Sequence, residues 1–203
     1  MPARDGRSAQ TNLVADPPPP GAGFYRFLRY GHILSSLLRE FLESSFLEQL
    51  SPYSLSRSQF CFLKLIAGNS ELQVCELARC LGVSPAASSK NLDRLEEFGL
   101  VVRETSTEDR RATLLSVSPE GRRLVDDFER LKASHLAPVI AELGEERTEV
   151  VCDLLREVCL GMLQRTTVAE VPCLRCAGYY RPDCVVERLH GECALKPRRG
   201  AEA

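Results

Sequence analysis

The sequence predicts a mainly α-helical fold with one small β-hairpin, and three observations carry that prediction. Apolar residues recur at spacings of three and four along most of the stretch 24–165. The segment QVCELARCLGVSPAASSKNLDRLEEFGLVV then holds two short helical patterns broken at Leu81-Gly82-Val83-Ser84. RETSTEDRRATLLSVSPEG follows at once, with two strand-like runs around a charged tip. Two helices joined by a sharp turn and followed by a hairpin form a winged helix-turn-helix, in which one helix enters the DNA major groove and the wing lies beside it.

The 203 residues divide by composition into three parts. Residues 1–23 carry Ser, Asp, Asn and the run Pro17 to Pro20, with little to bury, and are expected to be a disordered arm. Residues 24–165 hold the winged-helix domain with helices for dimerisation at both ends. Residues 166–203 form a cysteine-rich tail with metal-binding potential.

Each element has its own signal. From 24 to 50, Phe27, Leu28, Ile33, Leu34, Leu37, Leu38, Phe41, Leu42, Phe46 and Leu50 mark one long amphipathic helix. Its stripe is wide for a single buried face and suggests a partner helix, for which a second subunit is one source. The next helix spans 56–68, with Phe60, Leu63 and Ile66 inward and Gly68-Asn69 as its stop. A helix over 72–80 follows, and Gly82 permits the turn because glycine takes positive φ without steric cost. Ser84 is an N-cap and Pro85 suits the first helical position, where its missing N–H is harmless.

The helix over 85–98 is expected to turn Ser88, Leu92, Leu95 and Gly99 inward, and Ala86, Ala87, Lys90, Asp93, Arg94 and Glu97 outward. Strands over 100–104 and 112–117 flank a polar linker too short for a crossover, so they pair as a hairpin. Ser118-Pro119-Glu120 opens a helix to about residue 141, Gly144 punctuates, and a last helix runs to 165.

Composition narrows the function classes. The net charge of −2 announces no nucleic-acid partner globally, although basic charge can be confined to one face. No apolar run approaches a membrane span and the N-terminus lacks a signal-peptide core, so no membrane partner and a cytoplasmic location are expected. His32, His135 and His190 are far apart in sequence, and no Gly-rich phosphate loop appears, which argues against an enzyme.

The phrases ELARCLGVSP, NLDRLEEFGLVVRE and TEDRRATLLSVSPEGRRL resemble the MarR family of winged-helix regulators over about 24–165. Asp109-Arg110-Arg111 followed by Leu114, Val117 and Gly121 is the specific part. The resemblance implies a transcriptional regulator that is an obligate homodimer with interlocked terminal helices. It also implies binding to pseudo-palindromic double-stranded DNA, usually as a repressor released by a small-molecule effector or by oxidation. Two features depart from the family pattern: Ser88 stands where an apolar residue is usual, and the cysteine tail lies outside the family body. A serine can still pack there and bond back to the helix.

On the recognition helix, Ser89, Lys90 and Arg94, with Ala86 and Ala87 at its start, are the candidates for groove contact. Lysine and arginine donate to guanine O6 and N7, and alanine meets a thymine methyl. The alternative is a solvated face in which Lys90 and Arg94 pair with Glu97 and Asp93. On the wing, Arg110 is the candidate for the minor groove, where an arginine gains from concentrated negative potential. Arg111 would contact a phosphate or brace the hairpin, and the family pattern gives Asp109 the orienting of an arginine. A solvated polar turn is the alternative. Charges over 85–123 balance, so affinity must come from placement rather than field strength.

The nine cysteines fall into two groups. Cys61, Cys75, Cys80, Cys152 and Cys159 are scattered in helical patterns and are expected to fill a core. Cys173, Cys176, Cys184 and Cys193 crowd the tail and are candidate metal ligands, holding zinc or an iron–sulfur cluster. One CxxC pair with two spaced ligands does not decide between the two metals, and four unligated thiols are the remaining alternative. His190 could replace one of these cysteines as a ligand, with a bystander as the favoured reading. A metal-bearing winged-helix adaptor without specific DNA binding is the competing function, since a fold does not fix its use.

Overall fold

The computed structural model describes residues 21–69, 72–105 and 113–165. Within them the chain runs α1 (Ala22–Ser36), a π-helical stretch (Leu37–Ser44), α2 (Ser45–Leu50), α3 (Arg57–Gly68), β1 (Leu72–Gln73), α4 (Val74–Leu81), α5 (Pro85–Glu97), β2 (Val101–Thr105), β3 (Thr113–Val117), α6 (Pro119–Leu143) and α7 (Glu145–Arg165). The predicted mainly α fold with a small hairpin is therefore the observed one.

The first helix departs from its expected form. Instead of one regular helix over 24–50, eight residues in the middle wind with i to i+5 bonding. Ser44 and Ser45 reinforce the wider turn, their hydroxyls donating to the carbonyls of Arg39 (3.1 Å) and Glu40 (3.2 Å), each five residues back. A widened turn resets the angular phase of the residues after it. Leu42, Phe46 and Leu47 are thereby buried, while Phe24, Phe27, Leu28, Ile33, Leu34, Leu37 and Leu38 upstream stay exposed.

α3 starts with a reciprocal cap. The Gln59 N–H donates to Ser56 Oγ (3.2 Å), and the Ser56 N–H donates to Gln59 Oε1 (2.9 Å). From this start α3 carries Phe60, Phe62, Leu63, Leu65 and Ile66 into the core. Phe128 of α6 closes against it, with ring centroids 4.5 Å from Phe60 and 6.4 Å from Phe46. Lys64 is buried with them and donates to Glu129 Oε1 at 2.6 Å, which supplies the charged partner that a buried ammonium needs.

The wing strands belong to a three-stranded antiparallel sheet in the order β1-β3-β2. β2 and β3 pair from Val101↔Val117 to Thr105↔Thr113, and β1 adds Leu72↔Leu115 and Gln73↔Leu114. The sequence reading placed 72–73 in a helix. A two-residue strand is too short to show alternation, and its pairing with β3 is decided by a partner some forty positions on.

The scattered cysteines divide. Cys61 is half-buried, but Cys152 and Cys159 are exposed free thiols on α7, so they do not fill a core of their own chain. α7 buries none of its residues within the chain, and a surface helix can satisfy the apolar pattern only against something else. The side chains of Cys75 and Cys80 lie outside the description, as does the tail with Cys173, Cys176, Cys184 and Cys193. Among the described residues no cluster fit to hold a metal occurs. No described helix is long and apolar enough to cross a membrane.

Candidate nucleic-acid interface

α5 is held at both ends by local chemistry. Ser84 caps it, its Oγ accepting from the Ala87 N–H (3.2 Å), with Pro85 at the first helical position. At the far end the Leu100 N–H donates to the Leu95 carbonyl (2.9 Å) and the Gly99 N–H to the Glu96 carbonyl (2.8 Å). Gly99 has φ +68°, and Leu95 and Leu100 are both fully buried beneath the turn. This is a Schellman motif with its hydrophobic contact. Gly99 is therefore the exposed pivot of that turn and not an inward-facing position.

α4 is closed in the same way before it. Gly82 takes φ 60°, and the Val83 N–H returns to the Ala78 carbonyl at 3.1 Å. Two glycine turns thus fix where the second helix of the helix-turn-helix begins and ends.

The exposed face of α5 carries the expected residues. Ala86, Ser89, Lys90 and Arg94 are exposed, Ala87 is half-buried, and Leu92 and Leu95 are buried beneath them. Ser88 is fully buried, and its hydroxyl has no hydrogen-bond partner among the described residues. The bond back to the helix open to a serine there is not made.

The charges on this face are largely committed. Arg94 Nη1 reaches Glu97 Oε2 at 2.6 Å, and its guanidinium lies 4.4 Å over the Phe98 ring. Phe98 in turn stacks on Tyr53, with centroids 4.7 Å apart and planes inclined by 24°. Arg94 therefore shows the pairing with Glu97 that the solvated-face alternative describes. Asp93 pairs with neither Lys90 nor Arg94; its partner is Arg103 of β2, at 2.6 Å. Among the described residues, no carboxylate forms an ion pair with Lys90.

Asp109, Arg110 and Arg111 lie outside the described residues, between β2 and β3. The strands that carry them are described, and β2 is fixed to α5 through Arg103, which also reaches Glu96 Oε2 at 3.4 Å. Arg103 was not among the residues singled out from sequence. Its partners lie ten and seven positions back across a turn, and no local spacing rule links them.

The start of α6 locks this assembly from below. Ser118 caps α6 by accepting from the Gly121 N–H (3.0 Å), and its hydroxyl donates to the Gly99 carbonyl at 2.6 Å. One side chain thus ties the end of the recognition helix, the end of β3 and the start of the long helix.

A helix-turn-helix with an exposed second helix, flanked by an antiparallel wing, defines a winged-helix protein. The MarR family model matches residues 53–112. The chain is 26% identical over 101 residues to the uncharacterised HTH-type transcriptional regulator YdgJ of Bacillus subtilis, a match covering 50% of this chain and 62% of YdgJ. It is 28% identical over 120 residues to the HTH-type transcriptional regulator FarR of Neisseria gonorrhoeae, covering 59% of this chain and 82% of FarR. Among solved structures it is similar in fold to Streptococcus pneumoniae FabT in complex with DNA, with a TM-score of 0.59, 19% identity, and 69% and 99% of the two chains covered. Over residues 53–112 the chain is similar to the MarR family, and the relatives it matches are named HTH-type transcriptional regulators.

Proposed function

We propose that this protein is a homodimeric, sequence-specific DNA-binding repressor that places α5 in the major groove of each half of a pseudo-palindromic operator. The observation that carries the reading is the exposed, doubly capped α5 with Ala86, Ser89 and Lys90 outward beside a wing braced to it. FabT, similar in fold, is in complex with DNA. In this reading Ala86, Ala87, Ser89, Lys90 and Arg94 meet base edges. Arg110 enters the minor groove, Arg111 holds a phosphate and Asp109 orients an arginine. Arg94 must first exchange Glu97 for a base, so Lys90 is the stronger candidate for direct readout. The repressor sense and release by a small-molecule effector follow from the family resemblance alone.

A second subunit is supported by the exposed apolar residues of α1 and α7. The tail supplies the regulatory part of the proposal. Cys173, Cys176, Cys184 and Cys193 bind zinc or an iron–sulfur cluster, and occupancy of that centre adjusts operator affinity. Metal and sulfide analysis with an absorption spectrum separates the two: colourless protein with zinc, or brown protein with iron and sulfide. Cys184→Ser must then lose stoichiometric metal, and equal operator affinities of the holo and apo forms discard the switch.

Operator selection from a randomised duplex pool, followed by fluorescence anisotropy, tests the DNA reading. Arg110→Ala is expected to weaken binding across sequences with a shallower salt slope. Lys90→Ala is expected to change base preference as well, by roughly 1–3 kcal/mol for a lost base contact. Absence of any selected sequence overturns the reading in favour of an adaptor.

A further inference from the structure

α5 poses an electrostatic problem for a helix that approaches phosphates. It exposes three carboxylates, Asp93, Glu96 and Glu97, in its second half, against only two cations of its own, Lys90 and Arg94. Arg94 is occupied by Glu97 at 2.6 Å. That leaves Asp93 and Glu96, one turn apart on the same flank, 52% and 45% exposed. Uncovered, they would face the DNA backbone with two negative charges per subunit, and like charges brought together at an interface oppose association.

Arg103 covers both. It rises from β2, outside the helix, with its Nη2 2.6 Å from Asp93 Oδ1 and its Nε 3.4 Å from Glu96 Oε2. At 27% exposure it is less accessible than either carboxylate. A guanidinium suits this position because it offers several donors in one plane and stays charged at every relevant pH. Two acids are neutralised at once by a side chain that need not touch DNA.

We propose that Arg103 is an electrostatic positioning residue for DNA binding, which keeps the acidic flank of α5 neutral so that the helix can approach the phosphates. The inference rests on the DNA-binding reading above. It assigns Arg103 a role separate from the base-reading residues, because it acts through Asp93 and Glu96. A purely mechanical brace between β2 and α5 would use the same contacts, and salt distinguishes the two. Bare carboxylates repel phosphates through a field that salt screens, whereas a misplaced helix is not restored by salt.

The test uses the full-length protein and a mixed-sequence DNA duplex, since the effect is on backbone approach and not on sequence. R103Q is expected to weaken binding on the order of tenfold at low salt, with the deficit shrinking as salt is raised. Adding D93N and E96Q to R103Q removes the repelling charges and is expected to bring affinity back to within about threefold of wild type. R103K keeps the positive charge and is expected to bind within the same margin; it serves if R103Q melts below the assay temperature. Wild-type-like binding by R103Q overturns the proposal. So does a deficit that ignores salt and survives neutralisation of both acids, or an R103K as weak as R103Q. Failure of the wild-type protein to bind any duplex overturns the DNA reading itself.

Discussion

At Ser88 a single hydroxyl departs from the rule that buried polar groups are paired. Its side chain is fully buried in the packed face of α5, and its oxygen meets no donor or acceptor among the described residues. Burying an unpaired hydroxyl costs about 1–3 kcal/mol, and alanine removes that cost with the loss of little volume. Ser88→Ala is therefore expected to stabilise the protein by about 1 kcal/mol, seen as a higher midpoint in thermal or urea unfolding. An unchanged or lower midpoint would show that the hydroxyl is satisfied in solution.

Gly121 is the opposite case, because it has no room for even a methyl group. A Cβ there would clash with the Leu100 carbonyl oxygen and lie 2.9 Å from Val117 Cγ2. The first obstacle is backbone, which cannot rotate aside. Gly121→Ala is expected to cost at least about 2 kcal/mol, measured as a fall in the urea midpoint, with loosened registry between α6 and the turn after α5. Retained stability would show that α6 can slide away from β2. The sequence pattern flagged Gly121 only as part of a family phrase; the close approach that explains it depends on chain segments twenty residues apart.

Lys132 carries a pH signature. Burial lowers its pKa from 10.5, with Lys64 pushing the same way, while the hydrogen bond and charge of Glu129 and the charge of Glu43 oppose the shift. The folded state thus binds fewer protons than the unfolded state between the lowered value and 10.5. Stability from this group must rise as pH climbs through that window, and at neutral pH its charge is a cost. The stability of wild type relative to Lys132→Met is expected to increase from neutral pH toward 10.5 in parallel urea titrations. A flat difference would place Lys132 in water.

At the scale of elements, the parts legible in the sequence were those with short-range causes. Ser56, Ser84 and Ser118 each cap the helix that the sequence predicts, and Gly82 and Gly144 fall at the expected breaks. Caps and glycine turns act over three to six residues, so a local reading finds them. The misses have long-range or subtle causes. β1 exists because β3 is there to pair with it. The π-helical stretch keeps the apolar spacing of a helix, so periodicity alone cannot see the change of winding. Arg103 and its two acids are joined by the fold, not by spacing. Of the candidate interface, the outward set Ala86, Ser89, Lys90 and Arg94 was legible because helical geometry fixes which residues share a face.

The largest imbalance among the described residues is between a well-filled centre and two helices whose apolar side chains stay exposed. Phe24, Phe27, Leu28, Ile33 and Leu34 on α1 are exposed, and so are Val150, Val151, Leu154, Leu155 and Met162 on α7. Scattered apolar residues on a surface are ordinary, but two long stripes are a site of association. In the proposed homodimer a second copy of the chain would cover both at once through one two-fold axis, which would also set the two copies of α5 at a fixed separation. Phe27 and Leu154 are themselves exposed, at 47% and 56%, so the core around Phe62 and Phe128 should persist in Phe27→Glu and Leu154→Glu. Each is expected to turn a dimer into a monomer by sedimentation, at protein concentrations where the wild type is fully associated. Operator affinity should fall far more than affinity for an isolated half-site, because the loss lies in linkage between two reading heads and not in either head. A wild-type monomer at micromolar concentration, or two glutamate variants that remain dimers, would place the subunit contact elsewhere.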